Sequence, residues 1–341
     1  MSGIAWAGGD LFYAVDDTDK MLYPVTININ RSTGSFAQSD IAIGTGVLTA
    51  GGHDLEGCAF DPASGALWIS DETGATIREF DVLTGELLRS APVPSVMTQC
   101  RGNYSLEALT ISGDGRTMWT ANEEALPCDG DLSTKTTGST VRLTKFTRGS
   151  VRDNWTAAGQ WAYVTEPVGT DPCVYNGETL TRSGVSALAA LPDGTLLVLE
   201  RTCYKSGMFP PVYFRIGIYQ VNFAGATEVS GHASLTNAPY TATQKSLLIG
   251  KNYSTFLNYE GMCLGPRLDD GSSLLVLVSD GGSSALQMIG SVKLSGLDVR
   301  TLKVEGSATS EPIGGPYRHV GGSSVTVTQP LPRHDRRRAD P

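Results

Sequence analysis

The chain has 341 residues, of which 40 are Gly and 17 Pro, with 40% hydrophobic and 18% charged residues, so it is long enough for one large or two ordinary domains and rich in turns. Its net charge is −9, and the last nine residues, Arg333 to Pro341, hold four Arg and two Asp, which leaves −11 on the rest. An acidic body without clustered Lys and Arg argues against nucleic acid as a partner and suits a metal cation, and no apolar run approaches the ~18 residues needed to cross a bilayer.

Met1-Ser2-Gly3-Ile4 runs directly into a strand pattern, with neither the charged nor the apolar region of a leader peptide. Either the chain is cytosolic or a leader has been cut away. Cys58, Cys100, Cys128, Cys173, Cys203 and Cys263 form no CxxC pair, which argues against structural zinc. Cys100, Cys128, Cys173 and Cys203 lie in turn-rich stretches and are expected to form two disulfides, whereas Cys58 and Cys263 sit in apolar strand patterns as buried thiols; the even count is equally open to six buried thiols. Disulfides would place the protein outside the cytosol, secreted or periplasmic.

In chain order, Ala66 to Ser70, Thr117 to Thr120, Thr195 to Leu199 and Ser273 to Leu277 read as short strands between Gly, Asp and Pro turns, while helical periodicity is nearly absent. One unit recurs: an acidic residue or Ser, a small residue, an apolar residue, a turn, an apolar strand, then a carboxylate or amide. Its copies run from Ser2 to Asp16, from Glu56 to Asp71-Glu72, from Glu107 to Asn122-Glu123, from Ser186 to Glu200-Arg201 and from Glu260 to Asp280. A third alternating strand follows each copy, for example Thr76 to Phe80, Val141 to Phe146 or Arg215 to Tyr219, and then a more variable segment. Four strands per unit predict an all-β chain folded as a β-propeller, with five blades counted and room for a degenerate sixth. A β-sandwich would not require an acid to recur at matching positions. The steps between copies, 54, 51, 79 and 74 residues, exceed a minimal blade, so the excess must form loops, chiefly Pro127 to Thr140 and Cys203 to Pro211. Residues 1–330 are read as one domain and 331–341 as a flexible basic tail.

In a propeller the first strand of each blade lines the central channel, which would bring Glu56, Glu107 and Glu260 onto one ring. A second level, at the end of the next strand, would hold Asp16, Asp71, Asn122, Glu200 and Asp280. Carboxylates crowded in a channel repel unless a cation sits between them, and calcium takes six to eight such oxygens. The same acids could instead cap turns or join blades, so for any single one that role stays open. His53-Asp54, just before Glu56, could be a general base or a neighbour of the metal at the channel mouth. Arg201 could clamp a phosphoryl oxygen or serve as a structural counter-ion. Together with Glu72 and Glu123, His53 and Arg201 are the candidate catalytic residues. Arg318-His319 has no spacing that ties it to the channel, and no Gly-x-Ser-x-Gly elbow supports a serine hydrolase.

Glu56-Gly57 with Asp71-Glu72, Glu107-Ala108-Leu109 with Asn122-Glu123, Leu199-Glu200-Arg201, and Asn258-Tyr259-Glu260-Gly261-Met262 with Val278-Ser279-Asp280 resemble the signature of the phytase-like, esterase-like propeller family. The resemblance covers Ser2 to about Asp280 and departs from the pattern at Ala108, where Gly is expected. It implies an exported protein that hydrolyses phosphate esters with calcium, acting on a small-molecule substrate as a monomer. Two alternatives stay open: a calcium-dependent lactonase or phosphotriesterase of paraoxonase-like type, and a non-catalytic binding propeller, for which Trp6, Trp68 and Trp119 near the channel-side strands are noted.

Overall fold

The structure, a computed structural model, describes residues 1–102, 104–169, 182–205, 212–249, 257–280 and 288–295, with short strand segments at 173–175, 178–180, 254–255, 303–304, 307–312 and 325–326. The expected basic tail, Arg318-His319 and residues 206–211 lie outside the described residues, while the start of the loop expected over Cys203 to Pro211 is instead the end of a strand, Leu196–Lys205.

Five antiparallel sheets follow one another along the chain, each built around four strands in sequence order. The first blade comprises Gly3–Gly8, Leu11–Asp16, Met21–Ile27 and Ile41–Ile43; the second Leu55–Asp61, Ala66–Asp71, Thr76–Phe80 and Leu87–Ser90; the third Leu106–Ile111, Thr117–Asn122, Thr140–Thr147 and Thr156–Val164. The fourth contains Ser183–Ala190, Leu196–Lys205, Val212–Asn222 and Gln244–Ile249, and the fifth Asn258–Arg267, Ser273–Asp280, Met288–Ser295 and Ser307–Pro312. The inner strands touch in the cyclic order first, second, third, fourth, fifth, first, which closes the ring of a five-bladed propeller.

The core is divided into five apolar wedges, one between each pair of neighbouring blades. This explains the strand pattern directly. Along Leu196 to Leu199, Leu196 and Val198 enter the wedge shared with the third blade, while Leu197 and Leu199 enter the wedge shared with the fifth. Along the fifth blade, Leu275 and Leu277 face the fourth blade, and Leu274, Val276 and Val278 face the first. Side chains alternate between faces of a strand, and both faces are buried, so these strands are apolar at every position. Trp68 and Trp119 also lie in wedges, against Trp155 and against Trp161 and Phe223 respectively, and not in the channel.

Much of the excess length folds back on the propeller. The segment after the third strand of the fourth blade returns to the edge of the third blade, where Val229 N donates to Gln160 O at 2.8 Å and Thr243 N to Ala162 O at 2.9 Å. Arg142 fixes it from inside: its guanidinium holds both oxygens of Asp129 at 2.6 and 2.7 Å and donates to the backbone carbonyls of Val229 and His232 at 3.4 and 3.0 Å.

Cys100 and Cys128, expected in disulfides, are free thiols, as are Cys58 and Cys263. Cys100 and Cys128 both pack at the edge of the wedge between the second and third blades and fill space there as small hydrophobes. Pairing of Cys173 lies outside the described side chains. No helix is long and apolar enough to cross a membrane among the described residues.

Candidate active site in the central channel

In four blades the inner strand carries more residues than its partner can match at one register position. Leu106 pairs with Asn122 and Ala108 with Ala121, leaving Glu107 between them; the same count leaves Ser186 in the fourth blade and Glu260 in the fifth. In the second blade Leu55 pairs with Asp71 and Cys58 with Ile69, so Glu56 and Gly57 stand opposite Ser70. A bulge re-aims the extra side chain out of the regular alternation. It is the reason these acids reach the channel while their neighbours Leu55, Leu106 and Tyr259 stay in the wedges.

The inner strands also approach one another closely. A Cβ on Gly57 would stand 2.4 Å from Leu109 N and 2.7 Å from Glu107 O, and one on Gly3 would stand 2.3 Å from Glu56 O. At the equivalent place in the third blade Ala108 is fully buried, and its methyl group is absorbed in the wedge towards the fourth blade.

Carboxylate oxygens of Glu56, Glu72 and Glu107 lie within 4.8 Å of one another. Glu72 follows the strand Ala66–Asp71; its N–H donates to Asp54 O at 3.0 Å and its carboxylate accepts from Ser105 N at 2.5 Å, linking the second and third blades. Across the channel, Arg201 of the fourth blade forms ion pairs with Glu123 and Glu260, stands 3.8 Å from Glu107 and donates to Asn258 Oδ1 at 3.0 Å. Asn258 in turn donates to Glu260 Oε1 at 2.6 Å. One guanidinium therefore stands among five buried glutamates and pairs with three of them.

Electrostatics follow from that ratio. Burial first, then repulsion from Glu260 and Glu72, pushes Glu56 well above the usual carboxylate range. Burial and then Glu56 and Glu123 do the same to Glu107. Glu72 is raised to about 9 by burial and by Glu123, against the opposing bond from Ser105 N–H. Glu260, also buried, rises only to about 7 because Arg201 offsets the cost. Burial would lower Arg201, but Glu123, Glu260 and Glu107 outweigh it and hold the guanidinium firmly charged.

The structure thus brings together Glu56, Glu72, Glu107, Glu123, Glu260 and Arg201. It places the second level elsewhere. Asp71 accepts from His53 N at 2.9 Å and Thr73 N at 2.9 Å and pairs with Arg78, so it caps a turn. His53 enters through its backbone, and its residue is exposed. Asn122 accepts from Arg142 N at 2.9 Å. Glu200 accepts from Tyr163 Oη at 2.5 Å, Glu166 N at 2.7 Å and Lys245 Nζ at 2.5 Å. Asp16 accepts from Asp19 N at 2.9 Å, and both Asp16 and Asp280 face the Met1 amine, at 3.4 and 3.7 Å. Asp17 and Asp54 place their carboxylates beside Glu56; the sequence marks Asp54, with His53, as a neighbour of the metal, and only Asp17 is passed over. Asp17 follows Asp16, so its signal was an acid next to a selected acid.

No curated protein matches the chain. Solved structures with similarity include the gluconolactonase XC5397 from Xanthomonas campestris, with 15% identity, a TM-score of 0.35 and coverage of 84% of this chain and 71% of that one. The periplasmic gluconolactonase PpgL of Pseudomonas aeruginosa gives 10%, 0.40, 96% and 88%. Hydrazine synthase of Kuenenia stuttgartiensis gives 10% identity and a TM-score of 0.38 over 91% of this chain, which spans 65% of that one. At these identities and scores they bear on no activity. The family model described as phytase-like, esterase-like activity of phytase, matches residues 1–281, the stretch that holds all five inner strands and every channel glutamate. The chain belongs to this phytase-like family of esterase-like propeller hydrolases.

Proposed function

We propose that the protein is a calcium-dependent hydrolase of phosphate esters acting in the central channel. The observation that carries this reading is the group Glu56, Glu72 and Glu107, three buried carboxylates from two blades whose oxygens converge within 4.8 Å. The donor set fits calcium, which takes hard anionic oxygens in flexible geometry. Among the described residues Glu56 has no hydrogen-bond or ion-pair partner, and Arg201 is spent on Glu107, Glu123 and Glu260. Bound calcium would polarise the phosphoryl oxygen and lower the pKa of a water. Glu260, held near 7, is the channel carboxylate poised to exchange a proton with water at neutral pH. Arg201 orients Glu260 and Glu123 beside the proposed metal ligands.

Turnover of an activated aryl phosphate ester should vanish on chelation and return with calcium. Full activity after exhaustive chelation would overturn the mechanism. Arg201 also supports a second reading: its guanidinium is committed to three carboxylates, so no clamp is left there for an anionic substrate, and a neutral lactone or phosphotriester would need none. Rates on a phosphomonoester, a phosphodiester, a phosphotriester and a lactone, measured on one preparation, separate the two. Export belongs to the first reading and rests on family resemblance.

A further inference from the structure

Glu56 is shared by two groups of carboxylates. Besides its place with Glu72 and Glu107, it offers an oxygen within 4.8 Å of oxygens from Asp17 and Asp54, which lie as close to each other. Asp17 sits in the turn between the second and third strands of the first blade, and Asp54 at the entry to the second blade. The two groups therefore draw on the first and second blades and on the second and third. Glu56, Glu72 and Glu107 are buried, whereas Asp17 and Asp54 are half-buried, so the second group lies on the solvent side of the first.

Acids on turns commonly gather without a ligand, because each can be solvated separately. Glu56 cannot be. It is 8% exposed, it has no hydrogen-bond or ion-pair partner among the described residues, and its carboxylate is directed at both groups. Leaving a buried carboxylate uncompensated is costly, and the single guanidinium of the channel goes to Glu107, Glu123 and Glu260 instead. One cation among Glu56, Glu72 and Glu107 would leave Asp17 and Asp54 facing an oxygen of the same Glu56. A carboxylate has two oxygens and can bridge.

We infer that the channel binds two divalent cations side by side, one with Glu56, Glu72 and Glu107 and a second with Asp17, Asp54 and Glu56, with Glu56 as the bridging ligand. The second position rests on the proposed function only in taking the deeper group as a cation site. All five ligands are carboxylates, which favour calcium or manganese, and carboxylate-bridged pairs in hydrolases hold their ions roughly 3.5–4 Å apart. The half-buried position is the one open to exchange with solvent.

The metal-free full-length protein is titrated with calcium by calorimetry and with Mn²⁺ by electron paramagnetic resonance. Two equivalents should bind, and the manganese spectrum should change from isolated to spin-coupled ions as the second equivalent fills. Asp17→Asn and Asp54→Asn should each weaken one equivalent by on the order of tenfold and leave the other unchanged, while Glu56→Gln should weaken both. A single equivalent in the unmodified protein, uncoupled manganese at saturation, or two aspartate variants with both affinities intact would each overturn the pair. Melting curves taken in chelator show that each variant is folded, and the half-buried aspartates provide two independent variants should either fail. Phosphate ester turnover is read separately. Two coupled ions without turnover would remove the proposed substrate and keep the pair; calcium-dependent turnover with one ion would do the reverse.

Discussion

Glu56 and Glu260 occupy the same bulged position of their blades and meet different surroundings. Glu260 is held by Arg201 and Asn258, whereas Glu56 faces only other carboxylates. Replacement of Glu56 or Glu107 by Gln should therefore weaken calcium binding, and the double variant should depart from additivity by about 0.5–3 kcal/mol, because ligands of one ion couple. Glu260→Gln should lower stability through Arg201 and leave calcium affinity nearly intact, as calorimetry on the three variants would show. The sequence makes the recurrence of acids legible, since their spacing follows the blades. It does not reveal their destination. Arg201 and Glu260 meet across two blades, and which of three glutamates a guanidinium reaches depends on packing that spacing does not encode. The second level illustrates the same limit: Asp71, Asn122 and Glu200 recur because strand ends need an acceptor for backbone N–H groups or neighbouring cations, and that need selects the same residue types as a metal does.

An inner strand has to bulge an acid into the channel and still let the next blade approach within backbone contact. Gly57 meets both demands. Adding a methyl group there would collide with Leu109 N and Glu107 O, atoms of the neighbouring strand that cannot move alone. Gly57→Ala should cost about 1–3 kcal/mol of stability and weaken calcium binding, since it parts the strands that carry Glu56 and Glu107; thermal melting and titration of the variant check both. Strands themselves are well read from sequence, because alternate residues feed alternate wedges and the pattern is enforced at every position. The returning segment at the edge of the third blade is not, because its anchor is non-local: Arg142, itself held by Asp129, donates to carbonyls about 90 residues further on. Arg142→Met would leave Asp129 buried without its counter-ion, held only by such bonds as that from Leu235 N–H, a loss of about 3–5 kcal/mol. Hydrogen exchange at Val229 and Thr243 should quicken more than in the inner strands.

At the scale of the molecule, each blade is built from one continuous stretch of chain, and among the described residues no exchanged strand latches the first blade to the fifth. The blades are joined by apolar wedges, and the channel works against them. Glutamates of the second, third and fifth blades converge there, with Arg201 of the fourth as the guanidinium that opposes them. Without metal, protons must take its place. Glu72 keeps its proton up to about 9 in the folded protein, while in the unfolded chain it releases it near the ordinary carboxylate value of about 4.3. Between those limits the folded state binds more protons than the unfolded one, so the slope of stability against pH is negative. The contribution is fully present below the unfolded value, falls through neutrality and is gone above about 9. Glu56 and Glu107 are shifted in the same direction and add to the slope. Calcium bound only to the folded channel would replace the protons, so it should raise Tm most on the alkaline side of the window, where the carboxylates are already ionised. Melting curves from about pH 5 to 9, with chelator and with calcium, should converge at the acid end and separate steadily as pH rises. A metal-free Tm that held level or rose across that range would show that the glutamates are ionised and compensated without a cation, and the channel would then be a structural charge network.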